Sequence, residues 1–234
     1  MRFAVVVFPG TNCDRDTHHV LTSVLGQTAD LVWHRESNLS GFDCVVLPGG
    51  FAHGDHLRAG AIARFSPIMQ AVARHAESGG PVLGICNGFQ VLLEAGLLPG
   101  AMLPNAGRQF RCEWVHVRVD SNRTPFLANV APSSVLHLPI AHGEGRYFAP
   151  PELLRDLTAH GQIALRYCDP TGAVSDASNP NGSVDDIAGI TNRAGNVLGL
   201  MPHPERAAEI LLGSADGKML FESLLSLERH AAVR

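Results

Sequence analysis

Val5-Val6-Val7 and Val45-Val46-Leu47 set large apolar side chains in consecutive positions. Neighbouring side chains of a strand point to opposite faces, so an apolar run without alternation is buried on both, as in a parallel sheet covered by helices. Short apolar runs recur at Phe3 to Phe8, Ala29 to Trp33, Cys44 to Leu47 and Pro81 to Ile85. Helical patterns bounded by Gly or Pro fall between several of them, at Asp16 to Leu25, Ala61 to Glu77 and Gly88 to Ala95. This order reads as an α/β fold with a largely parallel sheet. Further strands are predicted near Trp114 to Val119, Ile163 to Tyr167, Ile187 to Ile190 and Val197 to Met201, and helices at Pro151 to His160 and Lys218 to His230. Between Asn105 and Pro150 the pattern lengthens into strand-like stretches with loops, which predicts an antiparallel extension of the sheet.

A chain of 234 residues fills one such domain, and a single domain over residues 1–234 is expected. Its net charge of −4 and its one lysine, Lys218, provide no basic stripe, which argues against nucleic acid or an anionic membrane as partner. The apolar N-terminal run turns at Pro9-Gly10, too soon for a signal segment, and no later run approaches a membrane span, so a cytoplasmic location is expected. Cys13, Cys44, Cys86, Cys112 and Cys168 are odd in number and contain no C-x-x-C pair, which fits neither a disulfide framework nor a zinc ribbon. The question they leave is whether one of them is activated.

Cys86 has the context for it. In Pro81-Val82-Leu83-Gly84-Ile85-Cys86-Asn87-Gly88-Phe89-Gln90 a buried strand ends at the cysteine and a helix follows at once. A nucleophile on so sharp a turn needs small residues two positions away on each side, and Gly84 and Gly88 supply them. The helix N-terminus biases the thiol towards thiolate, and the Asn87 N–H points where an oxyanion would form. An isolated cysteine is more often a small buried hydrophobe, but the paired glycines favour the nucleophile.

Leu47-Pro48-Gly49-Gly50-Phe51 follows another buried strand and opens on the same carboxyl edge, making the Gly50 N–H a second candidate oxyanion donor. Alone, Pro-Gly-Gly would read as a turn. Met201-Pro202-His203-Pro204-Glu205 follows the last strand, and its prolines predict an extended segment with His203 and Glu205 on roughly one side, as base and orienting acid.

Other chemistries fit less well. The zinc deaminases pair His-x-Glu with a downstream Pro-Cys-x-x-Cys, and no cysteine follows Cys168. His137 with His142, or His53 with His56, have no acidic or cysteine partners at a supporting spacing, so no metal site is expected. Gly213 to Met219 is one residue short of a phosphate loop and lacks the Ser or Thr after Lys218; it reads as a helix entrance, and no ATP site is expected. A cysteine hydrolase or protease of related fold, and a non-enzymatic subunit retaining the site, remain alternatives. The His-Pro-Glu segment disfavours the first and the complete triad the second.

Gly-x-Cys-x-Gly-x-Gln at Gly84 to Gln90, joined to His-Pro-Glu at His203 to Glu205, resembles the class I (triad) glutamine amidotransferases. Phe8-Pro9-Gly10-Thr11-Asn12-Cys13-Asp14, Gly49-Gly50-Phe51 with Gly54-Asp55 and Leu57-Arg58-Ala59-Gly60, and Phe110-Arg111-Cys112-Glu113-Trp114 are similar to the glutaminase subunits of phosphoribosylformylglycinamidine synthases. So are Pro139 to Gly145, Pro180 to Ser183 with Ile187 to Ile190, and Asn196 to Arg206, in order along nearly the whole chain. Departures are Ala52, His53 and His56, where that family tends to carry hydroxyl or aromatic residues, and Asp186, where asparagine is usual.

The resemblance implies a flavodoxin-like fold with helices on both faces of the sheet, and hydrolysis of glutamine by Cys86, His203 and Glu205. It implies ammonia delivery to a separate synthetase subunit, with a small accessory subunit, that amidates formylglycinamide ribonucleotide in purine biosynthesis. ATP and Mg belong to that partner, and no cofactor is expected on this chain. Gln90, one helical turn after the nucleophile, and His142 with the main chain to Glu144 are candidates for gripping the glutamine.

Overall fold

The computed structural model describes residues 1–231, with side chains as far as residue 226. In chain order the elements are β1 (Arg2–Val7), α1 (Asp14–His19), β2 (Thr28–Trp33), β3 (Cys44–Leu47), α2 (Pro67–Glu77), β4 (Val82–Ile85), α3 (Asn87–Glu94), β5 (Ala101–Leu103), β6 (Arg111–Val119) and β7 (Val135–His142). There follow β8 (Arg146–Phe148), α4 (Pro151–Ala159), β9 (Ile163–Cys168), β10 (Ile187–Thr191), β11 (Val197–Leu200) and α5 (Lys218–Ala231). A wide π turn over Val20–Val24 prolongs α1.

One nine-stranded sheet runs in the order β2-β1-β3-β4-β11-β10-β9-β6-β7, and β5 pairs β8 in a small second sheet. β2, β1, β3, β4 and β11 are mutually parallel. This is the doubly wound order 2-1-3-4-5 with β11 in the fifth place. The crossovers β1-α1-β2 and β3-α2-β4 run in opposite directions, so right-handed connections put their helices on opposite faces. β3, β4 and β11 are buried at every position, as their unbroken apolar runs predict. From β10 to β7 the pairing is antiparallel, the expected extension of the sheet. There β7 alternates half-buried and buried residues, the pattern of a strand packed on one face.

The antiparallel wing folds back over the carboxyl edge of the parallel half. The His203 N–H, just beyond β11, donates to Pro139 O in β7 at 2.8 Å. Two local expectations are corrected. The helix read from Ala61 starts at Pro67: Ala63–Phe65 is a separate 3-10 turn, and Ser66 is extended (ψ 141°). Proline disfavours helix at the residue before it and suits the first helical position itself, so the helix opens there. The same rule governs Pro202 to Glu205. His203 is extended, but Pro204–Arg206 forms a 3-10 turn with Pro204 at its start.

Asn196 ties α2 to β11. Its buried side-chain amide donates to Ala76 O at 2.8 Å and Gly80 O at 2.9 Å, closing the C-terminal end of α2. Asn196→Ala leaves Gly80 O without its donor and Ala76 O with only the Gly79 N–H, and is expected to cost about 1–3 kcal/mol. A fall in the denaturant midpoint at unchanged slope measures it, and an unchanged midpoint would show that water replaces the amide.

Candidate active site

Four strand ends meet on one edge. Cys86 sits between β4 and α3 with no intervening loop, at φ 50° and ψ −105°, a conformation that non-glycine residues rarely hold outside functional turns. Its N–H donates to Leu200 O at 2.8 Å, which fixes the elbow against β11. The flanking glycines are required by contact. A methyl on Gly88 would lie 1.9 Å from Leu47 O, and one on Gly84 2.8 Å from Gly88 O. Helix α3 therefore packs with its backbone nearly touching β3, and the Cys86 thiol, 5% exposed, is left at the helix N-terminus.

His203 and Glu205 come from the turn after β11, the neighbour of β4. His203 Nδ1 and Glu205 Oε1 are 2.6 Å apart, and both side chains are buried. The compact turn brings these two residues together where an extended segment was expected. Burial works against a charged ring here, yet the Glu205 carboxylate, and after it the Cys86 sulfur, hold the His203 pKa well above its ordinary value. His203 Nε2 is buried with no nitrogen or oxygen partner among the described residues, and the Cys86 and Cys13 sulfurs are the ring's other polar neighbours. A ring with one nitrogen on a carboxylate and a thiol beside it can take the thiol proton and return it.

Gly50 follows β3. The Thr11–Gly50 bridge is closed by Phe51 N–H to Gly10 O at 2.9 Å and Asn12 N–H to Gly49 O at 3.4 Å. The ladder bonds thus flank Gly50, whose own N–H they do not use. Gly50 has φ 149°, and a side chain there would meet Thr11 Cα at 2.7 Å. Asn87 opens α3 with its side chain turned to the loop after Gly50: its Oδ1 accepts from Ala52 N–H at 2.9 Å, and its Nδ2 donates to Asp55 Oδ1 at 3.1 Å and Gln90 Oε1 at 2.9 Å.

Gln90 and His142 lie beside the site with their polar atoms engaged. Gln90 Nε2 donates to Glu144 O at 2.5 Å. His142 Nδ1 contacts Asn105 Oδ1 at 3.1 Å and its Nε2 faces Asn181 Nδ2 at 3.5 Å, so the ring braces the loop after β7. Burial, then the nearby His203, lower its pKa to about 4, and it is neutral at physiological pH. What the end of β7 turns towards the thiol is main chain, with Ala141 O 3.8 Å from Cys86 Sγ.

Sequence reasoning singled out neither Cys13 nor Asp55. Cys13 ends the loop after β1, and its Sγ lies with ligand atoms of His203 and Glu205 inside a 4.8 Å cluster. Burial pushes the Cys13 thiol up, keeping it protonated. Arg206 Nη2 donates to its sulfur at 3.0 Å. The signal for Cys13 lay in strand order: once β1 neighbours β3, the two loops after them must touch. Asp55 is pushed up to about 6 by burial and by the Glu144 carboxylate, against the Asn87 hydrogen bond. No helix among the described residues is long and apolar enough to cross a membrane.

The CobB/CobQ-like glutamine amidotransferase domain matches residues 1–218. Phosphoribosylformylglycinamidine synthase subunit PurQ of Moorella thermoacetica is 60% identical over 225 residues, covering 96% of this chain and 95% of that one. The same subunit of Thermomicrobium roseum is 56% identical over 232 residues, covering 99% and 98%. Among solved structures, a chain of PurLQS from Thermotoga maritima superposes with a TM-score of 0.86 at 44% identity, over 97% of this chain and 98% of that one. A glutamine amidotransferase from Thermotoga maritima, at 16% identity, shares the fold with a TM-score of 0.57 over 100% of this chain and 86% of that one. This chain belongs to the CobB/CobQ-like glutamine amidotransferase family and, within it, to the PurQ subunits of phosphoribosylformylglycinamidine synthase.

Proposed function

We propose that the chain hydrolyses glutamine to glutamate and ammonia, with Cys86 as nucleophile, His203 as general base and acid, and Glu205 as the group that orients and charges His203. The observation that carries this reading is the Cys86 elbow at φ 50° beside the buried His203–Glu205 pair at 2.6 Å. The Cys86 sulfur attacks the side-chain amide carbon of glutamine while His203 Nε2 takes the thiol proton. The Gly50 and Asn87 amides hold the resulting oxyanion. The tetrahedral adduct collapses, His203 returns the proton to the departing nitrogen, and ammonia leaves behind a γ-glutamyl thioester. A water deprotonated by His203 then attacks that thioester and releases glutamate, restoring the thiol. Gln90 is assigned to the substrate wall through Glu144 O, and His142 to holding that wall in place.

The PurQ relatives and the PurLQS neighbour support a place for this activity in a complex. The ammonia passes to a synthetase subunit that converts formylglycinamide ribonucleotide to formylglycinamidine ribonucleotide with ATP and Mg, beside a small accessory subunit, in the cytoplasm. This chain carries no phosphate loop and one lysine, in keeping with an acceptor activated elsewhere. Its docking face is assigned to the carboxyl edge around Gly49 to Gly60 and His142 to Tyr147. That edge holds Cys86, and free ammonia would be protonated in bulk water.

Cys86→Ala is expected to abolish glutamine-dependent turnover with the fold intact, and a glutamine analogue bearing a side-chain electrophile to label Cys86. Mass spectrometry of the labelled peptide checks this; modification at Cys13 or Cys112 instead would sink the assignment. His203→Asn should lower kcat on the order of 10³-fold, and Glu205→Gln distinctly less, since one transfers protons and the other orients. Equal and negligible losses in steady-state assays would show the triad misassigned. Glutamate release by the isolated chain should be slow and should rise when the synthetase, ATP and formylglycinamide ribonucleotide are added. A full rate without the partner would contradict the coupling and leave the triad standing.

A further inference from the structure

Two main-chain N–H groups that stabilise one oxyanion must aim at a single point to within about 0.5 Å. Here they come from separate segments, Asn87 at the start of α3 and Gly50 in the loop after β3. That loop cannot hold itself by its own backbone preference, because His53, Gly54, Asp55 and Leu57 all have φ between 52° and 70°. Left-handed residues in such density persist only where the surroundings impose them.

Those surroundings are two backbone bonds to the loop after β1, Phe51 N–H to Gly10 O at 2.9 Å and His53 N–H to Pro9 O at 2.6 Å, and one side chain from α3. Ala52 N–H donates to Asn87 Oδ1 at 2.9 Å, and Asn87 Nδ2 donates to Asp55 Oδ1 at 3.1 Å. One side chain thus takes a donor and serves an acceptor three residues apart on the loop, beginning two residues after Gly50. Its Nδ2 also meets Gln90 Oε1 at 2.9 Å on the next turn of α3, which fixes which end of the amide faces which partner. Asn87 is 2% exposed and Ala52 also 2%, so water does not compete for the Ala52 bond, while the Asp55 end is half-buried. At the far end of the loop the tie to α3 is an exposed bidentate pair, Arg58 to Glu94 at 2.6 and 2.7 Å.

We propose that the Asn87 side chain, seated by Asp55, is the clamp that sets the separation between the two oxyanion donors, making Asn87 and Asp55 positioning residues for acylation of Cys86. This rests on the glutaminase reading above and adds to it a role that the nucleophile, base and orienting acid do not fill. Asn87 then acts twice: its N–H touches the oxyanion, and its side chain places the other donor. The clamp also offers a route by which a protein docked on the exposed 56–58 stretch could tune the rate, since displacing Asp55 loosens Gly50 without touching Cys86, His203 or Glu205.

Asn87→Ala keeps the main-chain donor and removes the clamp together with the Gln90 contact, which the Asp55 variants below leave in place. In the chain assembled with its synthetase, kcat for glutamine hydrolysis is expected to fall about 10²-fold, as for a misplaced donor, with KM changed by less than about threefold. Alkylation of Cys86 by iodoacetamide, which builds no oxyanion, should keep its wild-type rate when followed on the Cys86 peptide. Asp55→Ala should act in the same direction, and Asp55→Asn should recover most of the loss because its amide oxygen still accepts from Asn87. An Asn87→Ala variant that keeps kcat, or loses hydrolysis and alkylation equally, would overturn the clamp. Wild-type complex that releases no glutamate would instead remove the glutaminase reading on which the clamp depends.

Discussion

β4 passes into α3 through Cys86 alone, and the rest of the site follows from that abrupt change of direction. The turn forces the α3 backbone against β3, where Leu47 O occupies the space a side chain on Gly88 would need. Two glycines and a left-handed cysteine cost conformational freedom, and the all-buried strands β3, β4 and β11 offset it by packing on both faces. Loosening the turn by one residue would carry the thiol away from both the helix N-terminus and the turn after β11.

Parallel neighbours place their carboxyl ends side by side, so each loop after β1, β3, β4 and β11 supplies one part of the constellation. The thiol and the imidazole need no long-range arrangement beyond the β4–β11 pairing, in which Ile85 stands opposite Leu200. The electrostatics follow from burial. With Glu205 and His203 both removed from water, a carboxylate 2.6 Å from Nδ1 decides the ring's charge, and the neighbouring Cys13 thiol, pushed towards its neutral form, adds no competing anion.

Local pattern was enough to read β3, β4, the elbow and the antiparallel extension, because each is encoded by contiguous residues: unbroken apolar runs, Gly84 and Gly88, and the longer strand-like stretches before Pro150. What it could not supply was whatever depends on two loops meeting. Cys13 comes to His203 only because β1 lies beside β3, and Asp55 comes to Asn87 only through a backbone path with φ values that composition does not announce. His142 shows the opposite case. Its position at the end of β7 puts it at the site, but Asn105 and Asn181, distant in sequence, claim its ring. The start of α2 and the turn at Pro204 follow one rule that the apolar pattern hides, since proline restrains the residue before it while itself opening a helical turn.

Pro139 links this chemistry to the solubility of the chain. β7 is the last strand of the large sheet, and an outermost strand with open main-chain groups is a template on which other chains can grow. At Pro139 the ring removes the N–H, and the carbonyl is taken by the His203 N–H at 2.8 Å. The segment bearing the imidazole therefore covers the exposed border of the sheet at this point. Damage that unseats that segment uncovers a strand edge as well as silencing the site, so misfolding there would be expressed as self-association.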